Sequence, residues 1–369
     1  MRAATLEILS AEVVDQAIAD GRRGSFDKAV YRAVCPSGRS LGLVRKRLPG
    51  GQPRAPLVLI HGWGQNRYSW HLSERSFVNY LAERGFDVWN VDLTGHGRSR
   101  ELGSEPPIRF EDYVQDGVDT ALAVHAESAS GPVFLLGHSL GGTVCYAVAP
   151  RIPELLGGVV TFAGLYTFGR GNPTTLRIAR LARRSLGAWT PRSRFKLSIA
   201  SQAVDNFLGL VDDWFWSFPL AGWYPGSVEP HLLRERIHRG LDWTAVNILL
   251  TMLRWADEGR LTSDSGHDYG AEFAALDKPL LVIAGDADRM LPMEDARPAW
   301  EESRSSDKTF KLLSPEREAT HWGHLDILLG RQAPRYVWPL AAEWIGQRCG
   351  EALAGAGPVP PARGPRISG

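Results

Sequence analysis

The stretch Val133-Phe134-Leu135-Leu136-Gly137-His138-Ser139-Leu140-Gly141-Gly142-Thr143 decides the fold. Its apolar beginning predicts a strand, the residues after Ser139 predict a helix, and a sharp turn joins the two. In the pattern Gly-x-Ser-x-Gly the serine lies at the apex of the turn and presents its hydroxyl outwards. Gly137 and Gly141 lack a Cβ, so they permit the close backbone approach that such a turn requires. The pattern therefore predicts that Ser139 is a nucleophile.

Mostly continuous apolar runs recur along the chain, and runs without alternation are typical of strands buried on both faces of a parallel sheet. The predicted strands are Leu57–Ile60, Val88–Val91, Val133–Leu136, Val159–Phe162, Leu280–Ile283 and Thr309–Leu313. The predicted helices among and after them are Phe77–Arg84, Phe110–Ala126, Leu140–Pro150 and Arg335–Cys349. An antiparallel hairpin of Ala29–Cys35 and Leu41–Arg47 precedes this pattern, and Leu6–Ile18 is predicted to be a short leading helix. The order predicts an α/β fold whose mostly parallel, eight-stranded sheet is flanked by helices.

One long interval, residues 165–277, contains no clear core strand. It carries several tryptophans in mainly helical surroundings, namely Trp189, Trp214, Trp216, Trp223, Trp243 and Trp255. An insertion before the penultimate core strand would form a helical cap over the carboxyl ends of the strands, where ligands bind in open α/β sheets. The predicted organisation is a helical extension (1–24), a core (25–164 and 278–349), a cap (165–277) and a disordered tail (350–369).

Composition limits the function classes. The 369 residues are 44% apolar and 22% charged, and the net charge is +1, so global electrostatics favours neither nucleic acid nor an anionic membrane as a partner. The three cysteines and ten histidines lack metal-ligand spacing, so we expect no metal and no cofactor. No run reaches the roughly 18 apolar residues of a membrane span, and Glu7 and Glu12 argue against a signal peptide. We expect a cytoplasmic protein.

A serine hydroxyl becomes a strong nucleophile when an imidazole takes its proton and a carboxylate orients that imidazole. In the chain order Ser, acid, His, the acid follows the strand that ends at Ile283, and Asp288 is the favoured candidate. Asp286 is the alternative, although it follows the strand directly and more simply serves the turn. The base follows the last strand, where His324 is favoured and His321 is the alternative.

The oxyanion of a tetrahedral intermediate needs two backbone N–H donors. One donor is expected from Leu140, the residue after the nucleophile. The other is expected from the loop His61–Gly64, which directly follows the strand Leu57–Ile60, and Trp63 is the residue chosen there. The Trp63 side chain, with Trp214, Trp216 and Trp223, is a candidate wall of the substrate pocket.

These motifs resemble the α/β-hydrolase superfamily. The matching stretches are His61–Trp70, Asp87–Ser99 and Gly323–Gly330, within a resemblance that runs from roughly residue 30 to 348. They look like a bacterial lipase/esterase-like branch, which is similar to acid lipases and to polyhydroxyalkanoate synthases and depolymerases. The resemblance implies ester hydrolysis or acyl transfer on a small-molecule ester. Polyester synthases of this type carry cysteine at the elbow, so Ser139 favours hydrolysis.

The sequence leaves alternatives open for the position of the acid and for the type of function. Some lipases take the acid after the strand that ends here near Phe162, but residues 165–204 contain neither Asp nor Glu. An acyltransferase would use the same triad, and a non-enzymatic ligand receptor on this scaffold is the third hypothesis.

His138 is expected to have a structural role beneath the elbow, and His96 to support the pocket. A basic stretch between Arg170 and Lys196 is either a solvated helix face or a contact for an anionic leaving group or headgroup.

Overall fold

The structure, a computed structural model, describes residues 3–128, 131–174, 176–177, 180–181, 194–196 and 222–349. In this part of the chain, eleven strands are formed. They are β1 (Thr5–Ala19), β2 (Arg22–Val34), β3 (Ser40–Arg47), β4 (Pro56–Ile60), β5 (Asp87–Asp92), β6 (Val133–His138), β7 (Leu156–Phe162), β8 (Arg194–Lys196), β9 (Trp243–Ala245), β10 (Leu280–Gly285) and β11 (Lys308–Leu313).

Helices connect most of these strands. They are α1 (Phe77–Glu83), α2 (Gly97–Glu101), α3 (Phe110–Ser128), α4 (Leu140–Val148), α5 (Pro230–Glu235), α6 (Val246–Glu258), α7 (Tyr269–Ala274), α8 (Met293–Ala296), α9 (Pro298–Glu302), α10 (Pro315–Glu318), α11 (Asp326–Leu329) and α12 (Ala333–Gly346). A 3₁₀ turn covers Arg67–Ser69, and a π-helical turn, Arg236–Gly240, follows α5 directly.

Nine strands form one sheet in the order β1-β2-β3-β5-β4-β6-β7-β10-β11. The strands from β5 to β11 in that order are parallel, whereas β1, β2 and β3 are antiparallel to their neighbours. The predicted sheet is thus correct in character, and the predicted number of eight strands is wrong by one. The additional strand is β1.

The predicted leading helix, Leu6–Ile18, is wrong, because these residues form β1. β1 pairs along its length with β2, from Thr5 opposite Val34 to Ala19 opposite Arg22. Asp20 and Gly21, which join the two strands, have φ values of 53° and 74°. Two positive φ values are typical of the type I′ turn that Asp-Gly favours in hairpins. Pairing with β2 outweighs the weak helical preference of the segment, because propensity is easily overridden by tertiary contacts.

The parallel strands are buried on both faces, as their continuous apolar runs predict. Along β4, Val58 and Ile60 face a core formed with α3 and α4, whereas Leu57 and Leu59 face a second core formed with α1 and α12. Because parallel strands end at a common edge, the loops after β4, β6, β10 and β11 meet there. That edge carries the candidate site.

Part of the interval 165–277 is described. It includes α5, the π-helical turn, α6 and α7, and a small antiparallel sheet in which β8 pairs with β9. The predicted helical character is therefore correct for much of the described portion, with this two-stranded sheet as an unpredicted element. Trp214, Trp216 and the predicted tail 350–369 lie outside the described residues.

Candidate active site

Ser139 occupies a strained turn between β6 and α4. Its backbone has φ 56° and ψ −125°, in a region that non-glycine residues rarely adopt. A Cβ on Gly137 would lie 2.4 Å from the carbonyl oxygen of Gly141, and one on Gly141 would lie 2.2 Å from that of Ile60. Both distances are too short for a side chain, so the two glycines make this turn sterically possible. The local geometry is that of a nucleophile elbow.

His324 and Asp288 form a buried hydrogen-bonded pair. His324 lies in the loop after β11 and Asp288 in the loop after β10, and Nδ1 of His324 donates to Oδ2 of Asp288 at 2.7 Å. The other carboxylate oxygen, Oδ1, accepts from the backbone N–H groups of Met290 and Leu291 at 2.9 and 2.7 Å. These bonds fix the carboxylate, which in turn fixes the imidazole with Nδ1 protonated, so Nε2 is left as the basic nitrogen.

His138 connects the elbow to the histidine loop. Its Nε2 donates to the backbone carbonyl oxygen of His324 at 2.9 Å, and the two rings lie 4.8 Å apart between centroids. Burial, followed by the neighbouring imidazole of His324, lowers the pKa of His138 well below its ordinary value. A neutral His138 therefore ties the backbone of His324 to the residue that precedes Ser139, which agrees with the expected structural role.

The loop after β4 approaches the serine closely. A Cβ on Gly62 would lie 3.0 Å from Cβ of Ser139, so the loop packs directly against the elbow. His61 organises this loop, because its Nε2 accepts from the N–H of Leu93 at 3.1 Å while its Nδ1 donates to the carbonyl of Gly62 at 2.9 Å. Sequence reasoning assigned His61 no role of its own. Burial lowers the pKa of His61, which keeps it neutral for this arrangement.

The two expected oxyanion donors lie on either side of this contact. Trp63 follows Gly62 in the loop, and Leu140 is the first residue of α4. The first N–H groups of a helix have no acceptor within the helix, so the amide of Leu140 is oriented for an external acceptor. The assignment of both amides to an oxyanion hole stays a prediction.

Comparison with known proteins decides the family. The model of a family described as "Alpha/beta hydrolase family" matches residues 57–340. The chain belongs to the alpha/beta hydrolase family. Mouse monoglyceride lipase is 24% identical over 316 residues, which cover 84% of this chain and 88% of that protein.

Solved structures support the fold of this alpha/beta hydrolase. The monoacylglycerol lipase of Paleococcus ferrophilus has a TM-score of 0.57 and 20% identity, covering 84% of this chain and 99% of its own. A thermophilic esterase from Thermogutta terrifontis has a TM-score of 0.54 and 16% identity, covering 92% and 100% respectively. The predicted superfamily and fold are confirmed.

The two alternative residues of this alpha/beta hydrolase pair with each other. Nδ1 of His321 lies 2.5 Å from Oδ2 of Asp286, and Oδ1 of Asp286 accepts from the N–H of Trp322 at 2.9 Å. The side chain of His321 is 43% exposed, whereas that of His324 is 2% exposed. Asp286 thus serves the turn after β10, as expected, and the structure brings Asp288 together with His324.

The end of the π-helical turn and the residues after it are hydrogen-bonded to the loop that carries Trp63. The N–H of Asp242 donates to the carbonyl of Gly64 at 2.8 Å, and the N–H of Asn66 donates to the carbonyl of Gly240 at 3.1 Å. Oδ2 of Asp242 also accepts from the N–H of Gly97 at 2.6 Å. Sequence reasoning missed Asp242, which belongs to no motif and acquires its role only when this segment packs on the loop after β4.

Residues 222–224 contact the loop that carries His324. The N–H of Leu325 donates to the carbonyl of Gly222 at 2.7 Å, and the N–H of Tyr224 donates to Oδ2 of Asp326 at 3.1 Å. Trp223 is buried between these contacts, and a Cβ on Gly323 would lie 3.0 Å from its Cα. Of the predicted pocket residues, Trp223 thus lies next to the loop of His324, and Trp63 is partly buried in the loop whose Gly62 contacts Ser139.

Two further expectations concern polar residues. His96 is buried, and its Nε2 lies 2.6 Å from the hydroxyl oxygen of Tyr113, so it braces the loop after β5. In the basic stretch, Arg180 pairs with Asp257 at 3.0 Å. Most of that stretch lies outside the described residues. Its proposed contact with an anionic group stays a prediction.

None of the helices in the described part of the chain is long and apolar enough to cross a membrane. Nor do three or more His, Cys, Asp or Glu side chains cluster there in a way that could hold a metal ion.

Proposed function

We propose that the protein is a serine hydrolase that cleaves a carboxylic ester with an apolar acyl or alcohol part. One observation carries the proposal, namely the buried hydrogen-bonded pair of Asp288 and His324. The backbone carbonyl of His324 is in turn bonded to the side chain of His138, the residue that precedes the strained Ser139. Relatives and fold neighbours named as monoglyceride lipases and esterases support the ester as the bond cleaved.

In the proposed reaction, Oγ of Ser139 attacks the ester carbonyl while Nε2 of His324 takes its proton. Asp288 holds the imidazole and stabilises its positive charge. The carbonyl oxygen becomes negative and accepts hydrogen bonds from the amides of Trp63 and Leu140. The intermediate collapses, His324 protonates the departing alcohol, and an acyl-enzyme on Ser139 remains. Water, deprotonated by His324, then attacks the acyl group, releases the acid and restores Ser139.

We further propose that residues 165–277 form a cap on a core of residues 25–164 and 278–349. The contacts of Gly240 and Asp242 with the loop after β4, and of Gly222 with the loop after β11, support this division. In this arrangement the cap borders the reacting groups on two sides. The apolar specificity is accordingly a property of the cap together with Trp63.

The test is hydrolysis of p-nitrophenyl esters with acyl chains from C2 to C16, measured for wild type and Ser139→Ala side by side. We expect Ser139→Ala to lower kcat by roughly three decades or more while the circular dichroism spectrum is retained. Near-normal turnover by the variant would refute the mechanism. If wild type instead hydrolyses none of the esters while a fluorophosphonate still labels Ser139, an alcohol or amine acceptor is then added. An acceptor that raises turnover of the ester without raising release of the acid would favour acyl transfer.

A further inference from the structure

Arg236 is a buried cation at the start of the π-helical turn in the cap. The residue is 4% exposed, and Nη2 of its guanidinium donates to Oγ of Ser69 at 3.1 Å. Nη1 is also buried, and no hydrogen-bond acceptor for it occurs among the described residues. Single π-helical turns are rare and are often found at functional sites.

Three other arginines with little exposed surface each have a carboxylate partner. Arg45 pairs with Asp87 at 2.7 Å, Arg67 with Asp92 at 2.5 Å, and Arg75 with Glu229 at 2.6 Å. Arg236 forms no such ion pair with the residues that the structure describes, and burial lowers its pKa to about 10. It therefore remains charged at neutral pH. A buried charge without a counter-ion is unfavourable for folding alone.

Arg236 lies near the proposed nucleophile. Oγ of Ser69, which accepts from Arg236, donates to Oε1 of Gln65 at 2.8 Å. A Cβ on Gly62 would lie 3.1 Å from that same Oε1 and 3.0 Å from Cβ of Ser139. Two hydrogen bonds and one van der Waals contact thus connect the guanidinium to the loop that packs on the serine.

The charge of Arg236 also acts on two histidines near the elbow. The pKa values of His61 and His138 are lowered mainly by burial, and the positive charge of Arg236 contributes to lowering both. His61 orders the loop beside Ser139, and His138 directly precedes Ser139.

Gly240 provides the space that the guanidinium of Arg236 occupies. A Cβ on Gly240 would lie only 1.9 Å from Nη1 of Arg236, so glycine at this position provides the space for the charged group. Gly240 is also the residue whose carbonyl accepts from Asn66. The turn that anchors the cap to the loop after β4 is therefore the turn that positions the cation.

We propose that Arg236 binds an anionic group of the substrate, a carboxylate or a phosphate, beside the ester that Ser139 attacks. This inference rests on the proposed function and narrows its substrate class to esters that carry a negative charge. A guanidinium can meet either anion with two parallel N–H groups, and a bound anion would supply the counter-charge that the described residues do not provide.

The test compares esters matched in length. The charged substrates are mono-p-nitrophenyl esters of C4 to C8 dicarboxylic acids and their analogues with a terminal phosphonate, and the uncharged ones are p-nitrophenyl esters of the corresponding fatty acids. We expect Arg236→Met to lower the ratio of kcat/KM for charged over uncharged esters at least tenfold, mainly through KM. Preference for the carboxylate or the phosphonate series in wild type identifies the anion.

Two further variants separate charge from position. Gly240→Ala retains the arginine but displaces Nη1, so it should lower the same ratio by a smaller factor. Arg239→Met is the matched control, because Arg239 belongs to the same turn but is largely exposed and bonds to Glu235 and Tyr68. It should leave the ratio as in wild type. If Arg236→Met also leaves the ratio unchanged, the inference is overturned.

Stability and binding measurements complete the design. Arg236→Met should not lower Tm if the cation serves to bind a ligand, whereas a lower Tm with an unchanged ratio would identify a structural arginine and overturn the inference.

Calorimetric titration with glutarate and with inorganic phosphate should show binding to wild type that weakens at least tenfold in Arg236→Met. Absence of any Arg236-dependent binding also overturns it. Failure of the proposed function would appear separately, as turnover that survives in Ser139→Ala.

Discussion

Two aspartate–histidine pairs lie at the same edge of the sheet, and only one of them is buried. Asp286 and Asp288 both follow β10, and His321 and His324 both follow β11. The hydrogen-bond distances, 2.5 Å for Asp286–His321 and 2.7 Å for Asp288–His324, do not distinguish the pairs. Their surroundings do, because water competes for a hydrogen bond that it can reach, whereas a buried hydrogen bond is shielded from that competition. The comparison teaches that burial and supporting contacts select the candidate base.

The largest difference is expected from the two histidines. His324→Gln should lower kcat for p-nitrophenyl esters by roughly three decades or more, because the proposed general base is lost. His321→Gln should change it by less than about twofold, as expected for an exposed side chain away from the reacting groups. Steady-state kinetics of both variants checks this, with circular dichroism as the control for folding. Equal losses in the two variants would erase the distinction between the pairs.

The aspartates should differ in the same direction. Asp288→Asn should lower kcat by roughly two to four decades, because the amide favours the wrong imidazole tautomer and cannot stabilise the imidazolium. Asp286→Asn retains an oxygen for the N–H of Trp322 and should cost less than about twofold. Single-turnover measurements would show whether the loss in Asp288→Asn lies in acylation. A larger loss in Asp286→Asn would make Asp286 the acid instead.

The backbone contact from His138 is a third distinction between the loops. His138→Leu removes the donor to the carbonyl of His324, and one lost hydrogen bond of about 1.4 kcal/mol corresponds to a roughly tenfold lower kcat, with KM nearly unchanged. His138→Gln can still donate and should recover part of the loss. A purely structural effect would instead lower Tm in both variants without separating kcat from KM.

The last prediction concerns stability and pH rather than catalysis. In the folded state burial lowers the pKa of His138 well below the value of about 6.5 expected in the unfolded chain. Below pH 6.5 the unfolded state therefore binds more protons, and stability falls as the pH falls. Relative to wild type, His138→Leu should lose less stability on acidification, by about 1.4 kcal/mol per pH unit. Urea denaturation at pH 7, 6 and 5 measures this, and parallel curves for the two proteins would contradict it.

Much of this fold can be predicted from the sequence because its strands are marked locally. The apolar runs around Leu57, Val88, Val133 and Leu280 each identify a buried parallel strand, and the glycines around Ser139 identify the turn that presents it. β1 escaped prediction because its identity depends on a partner strand. Asp20-Gly21 was the available signal, since this dipeptide between two segments favours a hairpin.

The residues of the candidate site also fall into those that the sequence predicts and those that it does not. The Gly-x-Ser-x-Gly pattern led to Ser139 and the chain order led to Asp288 and His324, and the structure brings the last two together. Asp242 and Arg236 could not be found, because their positions depend on how residues 236–242 pack on the loop after β4. A single sequence contains no local pattern for such a contact. The assignment of catalytic roles remains a prediction that the variants above can test.

The hydrogen bonds between Gly240–Asp242 and Gly64–Asn66 have a consequence for engineering. In enzymes with an inserted cap, the whole insertion is the obvious unit to exchange for the cap of another enzyme. Here such a transplant would remove the backbone partners of the very loop expected to hold the oxyanion. A functional chimera would therefore keep this short segment with its recipient core, and the modular boundary lies inside the insertion rather than at its ends.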